Sequence, residues 1–452
     1  MRHGRARGPK MARAGSGERV PVYDVVGVGF GPSNLALAIA LAEHNAGRAE
    51  PVTAHFLERQ PHFGWHRGML IDTATMQVSF LKDLVTMRNP TSEFSFLNYL
   101  HDAGRLVDFI NHKNLFPLRI EFHDYFEWAA AKVDDVVSYG TEVVSVRPVY
   151  DGDEVAYFDV EASDGVSLRA RNLVVGTGLR PQLPEGVATG ERIWHNSELL
   201  HRVSRLRSTD PKRFVVVGAG QSAAEVAALL HDEFPRAEVC AVFARYGYSP
   251  ADDSSFANRI FDPEAVDQFY GAGEPVKDRL MRYHGATNYS AVDIDLIDEL
   301  YRRIYREKVK GVERLRLFNV SRPVEVSDTG TVVATTIESL TTGERTTFEA
   351  DAVVYSTGYL PADPTPVLGE LGARCLRDSA GRLQVERDYR IVTDAVLRGG
   401  IYLQGGTEHT HGITSSLLSN TAVRVGEILQ SIVDRSAAAA PVTAEEYAVS
   451  AR

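Results

Sequence analysis

Cysteine is scarce in this chain: Cys240 and Cys375 are the only two among 452 residues, far apart and in no CxxC pair. That rules out a disulfide framework and suits the reducing cytoplasm. Cys240 sits in the apolar run Val239-Cys-Ala-Val-Phe243 and reads as a small buried hydrophobe. Long apolar runs are missing too. No window approaches the roughly 18 residues that a membrane span requires, so no membrane is expected. Positive charge is in deficit, with 49 Lys and Arg against 60 Asp and Glu and a formal net charge of -11. Nucleic acid, which needs a basic face, is therefore not an expected partner. No repeat of solenoid period is present. His409-Thr-His411 has no third ligand at metal spacing, and no metal is expected.

What remains is an ordinary globular composition, 44% hydrophobic and 24% charged, with length for two or three domains. Residues 1–20 scatter Arg2, Arg5, Arg7, Lys10, Arg13 and Arg19 among Gly and Ala, with no apolar signal-peptide core behind them. They read as a disordered N-terminal extension, and the Ala-rich residues 436–452 as a flexible tail.

One arrangement occurs twice. Tyr23-Asp-Val-Val-Gly-Val-Gly29 is a short apolar strand running into glycines, and 33–43 behind it has helical character. Arg213-Phe-Val-Val-Val-Gly-Ala-Gly220 repeats the pattern, with a helix expected over 222–231. Two further apolar strands, in 172–178 and 351–359, end in small residues where a chain crosses between two nucleotide domains. The fold class expected is α/β, with two Rossmann-like dinucleotide-binding domains, the second inserted in the first. The first domain would use 21–205 and 350–435, and the second 206–349. Within the second, 252–310 is rich in aromatic and polar residues, including Phe256, Asn258, Phe261 and Tyr289, and departs from the nucleotide-domain pattern. It reads as a smaller, mostly helical substrate-site region, with an amphipathic helix over 293–310.

The glycine loops state their own chemistry. Gly27, Gly29 and Gly31 allow a tight turn and close approach of backbone to a pyrophosphate, and Pro32 opens a helix whose free N–H groups face the phosphates. Glu58 ends the next apolar strand, where an acid binds ribose hydroxyls. Gly218-Ala-Gly220-Gln221-Ser222-Ala223 is a second fingerprint. The strand after it ends at Arg245 and not at an acid, which suits the 2′-phosphate of NADP. FAD in the first site and NADPH in the second follow from that pairing. A dithiol–disulfide reductase of this layout would need a CxxC beside the flavin, so oxygen chemistry is indicated.

At this point the chain resembles the microbial N-hydroxylating flavin monooxygenases, the lysine N6-/ornithine N5-hydroxylase family, over nearly all of 21–435. The specific stretches are Met76-Gln77-Val-Ser-Phe-Leu-Lys82, Asn89-Pro-Thr-Ser-Glu-Phe-Ser-Phe-Leu-Asn-Tyr-Leu-His101, Asp252-Asp-Ser-Ser-Phe-Ala-Asn258, Asn288-Tyr289-Ser290, and His409-Thr-His-Gly-Ile413 through Leu417-Leu418-Ser419. The family's hydroxylation motif is matched by Asp351, Thr357-Gly358-Tyr359 and Pro364, with Tyr355-Ser356 a small departure. The FxGxxxH pattern of the related Baeyer–Villiger enzymes is not met by Gly190 and His195.

The resemblance implies an L-ornithine N5-monooxygenase. NADPH reduces FAD, the reduced flavin captures molecular oxygen as a C4a-hydroperoxide, and the substrate amine attacks the distal oxygen. Such an amine, with a reference pKa of about 10.4, must arrive neutral at a cost in water of roughly 4–5 kcal/mol at pH 7. The resemblance assigns Lys82 to the substrate α-carboxylate, Asn258 to its α-amino and carboxylate end, Asn288 to the reacting amine, and Ser419 to a further substrate contact. Gln77, Gln221, Ser222, Tyr289, Thr357, Gly358 and Leu417 fall to the cofactors, and Trp65-His66 flank the isoalloxazine. It also implies a homotetramer and a siderophore or hydroxamate pathway. Lysine N6-hydroxylation, one methylene away, and diamine N-hydroxylation are the neighbouring readings. A non-enzymatic flavoprotein redox sensor is the alternative of another class.

Overall fold

A computed structural model describes residues 20–439. The expected N-terminal extension and all but the start of the expected tail lie outside the described residues. From the N-terminal side, β1 (Val22–Val28) runs into α1 (Pro32–Asn45), followed by β2 (Ala54–Glu58). Three helices come next, α2 (Phe96–Asp102), α3 (Leu106–His112) and α4 (Arg119–Lys132), then β3 (Val137–Tyr139), β4 (Val143–Asp151), β5 (Glu154–Ala162) and β6 (Ser167–Val175). Beyond β7 (Leu179–Pro181), β8 (Ile193–His195) and α5 (Leu199–Leu206), the second strand–glycine–helix unit is β9 (Arg213–Val217) and α6 (Gln221–Glu233), with β10 (Glu238–Val242) behind it. The aromatic excursion folds as α7 (Pro263–Tyr270), α8 (Glu274–His284) and α9 (Ile294–Val309). The chain returns through β11 (Leu315–Phe318), β12 (Ser321–Asp328), β13 (Val333–Ser339), β14 (Arg345–Ala350), β15 (Ala352–Tyr355) and β16 (Tyr359–Pro361). It closes with α10 (Glu370–Ala373), β17 (Val396–Leu397), β18 (Ile401–Leu403), α11 (Glu408–His411) and α12 (Thr421–Ala439).

These strands make two dinucleotide-type sheets. The first runs β17-β5-β6-β1-β2-β3, with β18 on β6 and β4 on β5; β1 is parallel to both β2 and β6. The second runs β11-β10-β9-β15-β8, all parallel. Parallel strands are buried on both faces and read as unbroken apolar runs, which is why β9 and β10 were legible as Val-rich segments. α1 is buried over eight consecutive residues from Asn34 to Leu41, because it lies between the first sheet and α12, whose Val425, Ile428 and Ile432 pack on it. α9 is one-sided: Leu300 is buried, Leu296, Ile297 and Ile304 lean on the second core, and the opposite face is wet.

The second sheet includes β8 and β15, which lie outside 206–349. The expected boundaries therefore cut through it, because β9 needs a parallel partner on each side and the chain supplies β15 and then β8 from beyond those limits. β7 and β16 pair antiparallel with each other, Tyr359 opposite Pro181 and Pro361 opposite Leu179. We propose that this two-stranded ribbon is where the chain crosses between the domains.

Candidate functional site

The site grows from the ends of β1 and β9. Gly29 adopts a left-handed backbone, φ +85, and a Cβ there would stand 2.7 Å from the Gly176 carbonyl oxygen. Gly31 caps α1 with Pro32 as its first residue, and a Cβ on Gly31 would meet nothing within 4 Å. The loop is thus tight on its protein side and open on the other, as a pyrophosphate cradle requires. Glu58 is buried at the rim; its carboxylate accepts from the Phe30 N–H at 2.6 Å and the Gln60 N–H at 2.8 Å and braces the loop. Gly27 is placed differently from expectation. It lies inside β1 under the Phe56 ring, where a Cβ would come within 2.1 Å of the ring, so it serves packing and not the turn. In the second loop Gly218 has φ +140 and presses against the Ser356 carbonyl oxygen, while Gly220 caps α6 and abuts Ser290.

Both loops open into one cavity of about 3320 Å³. Of the site residues expected from sequence, Gly29, Gly31, Pro32, Glu58, Trp65, His66, Gln77, Lys82, Gly218, Gly220, Gln221, Ser222, Asn258, Asn288, Tyr289, Thr357, Gly358, Leu417 and Ser419 line it. Gly27 and Arg245 do not. Arg245 is exposed beyond β10, where its Nη1 donates to the Ser290 carbonyl at 3.1 Å and ties it to the loop that carries Asn288.

Lys82 is held by its neighbour. The buried Asp83 carboxylate accepts from the N–H groups of Val85, Thr86 and Phe96 at 2.7–3.0 Å and fixes the turn that presents Lys82 to the cavity. The Lys82 ammonium lies 5.5 Å from the centre of the Phe261 ring, which belongs to the same 3-10 turn as Asn258. Burial holds the Lys82 pKa below its ordinary value, opposed by the Asp262 charge. The Asn258 carboxamide is fixed by Nδ2 on the Asp253 carbonyl at 2.7 Å.

Across the cavity, the N–H groups of Asn288 and Tyr289 both donate to the Gly285 carbonyl, and Ser290 takes a left-handed φ of 55. The Tyr289 hydroxyl donates to Glu408, and the Asn288 carboxamide interacts with that same hydroxyl. The Ser419 and Ser356 hydroxyls line the cavity, buried and without a protein partner, as groups awaiting a ligand. His66 has a left-handed backbone; its ring meets Trp65 edge-on at 4.8 Å and Tyr359 at 5.8 Å. His66 is exposed where it lines the cavity, although protein mass crowds it on its other sides. Burial, and then the Arg119 charge, push its pKa down to about 4, so it stands neutral beside the site.

Several cavity residues escaped the sequence reading. Arg119 forms a two-pronged pair with Glu225, 2.9 and 2.6 Å, joining α4 of the first domain to α6 of the second. Gln221 donates to Glu225 at 3.0 Å and accepts from the Asp293 N–H at 2.8 Å, extending the network to the start of α9. Arg424, on α12 and fully buried, donates to the Ser415 carbonyl at 2.7 Å and to Gln404, Ser33 and Thr421. No sequence motif announces a charge pair between helices a hundred residues apart. A buried arginine in an apolar helix such as α12 was the one visible sign. Asp351 of the hydroxylation motif is away from the cavity; its carboxylate accepts from the N–H groups of Lys212 and Arg213 and starts β9 beside β15. His409 bonds the Leu383 carbonyl, and His411 bonds Arg387 and Thr410 and stacks on Tyr389, so both rings are structurally engaged. On α4 the buried His123 and the exposed Asp124 and Glu127 have donor atoms close enough to share a cation. Among the described residues no helix is long and apolar enough to cross a membrane.

Both glycine loops and the unpartnered Ser356 and Ser419 hydroxyls line this one cavity, a lining that suits nucleotide cofactors. The comparisons agree. The sequence profile of L-lysine 6-monooxygenase/L-ornithine 5-monooxygenase matches residues 21–361. An L-ornithine N(5)-monooxygenase of Burkholderia cepacia is 40% identical, covering 87% of this chain and 91% of that one. The ornithine N-hydroxylase of Kutzneria sp. 744, solved with reduced FAD, NADP+ and L-ornithine, is 48% identical at a TM-score of 0.88, covering 92% of this chain and all of that one. The L-lysine 6-monooxygenase of Pseudomonas syringae is 30% identical at a TM-score of 0.81, covering 91% and 99%. The chain belongs to the L-lysine 6-monooxygenase/L-ornithine 5-monooxygenase family of FAD- and NADPH-dependent N-hydroxylating enzymes.

Proposed function

We propose that this chain is an L-ornithine N5-monooxygenase that converts the side-chain amine, dioxygen and NADPH with a proton into the N5-hydroxylamine, NADP+ and water. The glycine loops before α1 and α6 would hold FAD and NADPH, which when bound would supply oxygen activation and electrons. The protein's own share is to bind, orient and exclude water. One observation carries the reading: Lys82, Asn258, Asn288 and Ser419 line a single cavity between the two glycine loops.

The residue roles follow from charge and reach. Lys82 takes the α-carboxylate and Asn258 the α-amino end, so the amino acid lies with its tail directed towards Asn288. Asn288 accepts a hydrogen bond from the neutral terminal amine and Ser419 supplies a further contact. Glu58 holds the FAD ribose, Gln77 and Trp65-His66 border the flavin, Ser222 and Gln221 meet NADPH within the cavity, and Arg245, outside it, would reach the 2′-phosphate at the exposed end. The greater identity to an ornithine enzyme than to a lysine enzyme favours the shorter substrate. The buried thiols Cys240 and Cys375 fit a cytoplasmic setting. The exposed Val107 and Ile110 on α3 fit burial in a homotetramer. A hydroxamate siderophore is the product class that would consume hydroxyornithine.

The test is a product assay with FAD, NADPH and oxygen, offering ornithine, lysine, putrescine or cadaverine, and mass spectrometry of the hydroxylamine. Ornithine should give the largest kcat/KM. Lysine well above ornithine would overturn the substrate assignment.

A further inference from the structure

A smaller cavity of about 480 Å³ adjoins the first through shared wall residues, and Glu408 belongs to the walls of both. Glu408 opens α11, and its carboxylate receives the Tyr289 hydroxyl from the loop that also presents Asn288. The Asn288 carboxamide donates to the Tyr289 hydroxyl and so orients it towards Glu408, which lines the smaller, adjoining cavity as well as the first. The reaction makes one demand on the protein: ornithine's terminal nitrogen is an ammonium in water and must lose one proton before it can react.

Resting on the ornithine reading, we propose that Tyr289 and Glu408 are the route by which that proton leaves. The ammonium N–H bond breaks, its proton passes to the Tyr289 oxygen as the Tyr289 O–H proton passes to the Glu408 carboxylate, and Glu408 then delivers it to water in the smaller cavity. The substrate becomes a neutral amine, Tyr289 is restored, and no electrons move. Burial raises the proton affinity of Glu408, opposed by its bond from Tyr289. Asp278 also lines the smaller cavity, and the other charged groups there are engaged elsewhere. Lys277 and Arg382 pair with Glu274, Asp363 pairs with Arg377, and His409 bonds the Leu383 carbonyl. Tyr289 is the group bonded to Glu408.

The experiment measures hydroxyornithine formation and hydrogen peroxide release from pH 6 to 9.5 in FAD-loaded wild type, Glu408→Gln, Glu408→Asp and Tyr289→Phe, with flavin reduction by NADPH followed in parallel. For Glu408→Gln and Tyr289→Phe, product formation at pH 7 should fall about tenfold or more and recover towards pH 9.5, as ornithine deprotonates in solution. The acid limb of kcat/KM for ornithine should move up by about one pH unit and peroxide release should increase at pH 7, with flavin reduction kept within about twofold in Glu408→Gln. Glu408→Asp, which keeps the acid, should lie between. A loss of any size with an unshifted profile would overturn the route and mark the pair as scaffolding. Tyr289→Phe stands in should Glu408→Gln fail to fold. If wild type makes no hydroxyornithine at any pH, the ornithine reading itself fails, an outcome distinct from an unshifted profile.

Discussion

Arg245 shows how far one residue can be read. A strand ending in Arg where NAD-binding domains carry an acid points to a 2′-phosphate, and the structure adds its hold on the Ser290 carbonyl. A charge-assisted phosphate contact contributes about 1.5–3 kcal/mol. Arg245→Ala should therefore raise the KM for NADPH roughly tenfold or more while changing that for NADH within about threefold. An equal effect on both would remove Arg245 from the phosphate. His411 makes a second case. Its ring is buried against Tyr389, and burial, reinforced by nearby Arg387 and Arg424, pushes its pKa down to about 4. In the unfolded chain it titrates near 6.5, so between these values unfolding takes up a proton. Its contribution to stability is whole above pH 6.5 and falls towards pH 4, by at most roughly 1.4 kcal/mol per pH unit. The melting temperature should drop from pH 7 to pH 5, and His411→Asn should blunt that drop. An unchanged acid sensitivity in that variant would contradict the assignment. Glycines were legible in kind but not all in role. Gly29 and Gly218 need their positive φ, whereas Gly27 is small because Phe56 lies over it, a contact between strands that no local pattern reveals.

At the scale of elements, both glycine-opened helices and α9 were legible, since each carries its own periodicity and cap. β7 and β16 were not, being three-residue strands defined by each other across nearly two hundred residues. The same holds for the joint between α4 and α6. Arg119 and Glu225 have side chains 13% and 5% exposed, and each leaves a buried charge if the other is removed. Breaking such a pair costs about 3–5 kcal/mol, so Glu225→Ala should lower the melting temperature by several degrees. Because Gln221 shares Glu225, the variant should also slow flavin reduction by NADPH in a stopped-flow measurement. Reduction at the wild-type rate would show that the joint holds the domains together without setting the nicotinamide's position.

The whole molecule is one nucleotide domain set into another, with a cavity lined by residues of both, where we propose that an amino acid is held by its carboxylate and presented by its tail. The two cofactor ends were readable from the glycine loops, and the cavity's middle only through the resemblance, because Lys82, Asn258, Asn288 and Ser419 come from four separate stretches of chain. The central claim is that Lys82 makes this site an amino-acid site. Its most direct measurement is the ratio of kcat/KM for ornithine over putrescine, a diamine without a carboxylate, in wild type and in Lys82→Ala. With flavin reduction by NADPH unchanged, the account predicts a strong preference for ornithine in wild type that shrinks about 30- to 100-fold in Lys82→Ala, as loss of roughly 2–3 kcal/mol of charge-assisted bonding requires. A preference that survives the substitution intact would contradict it.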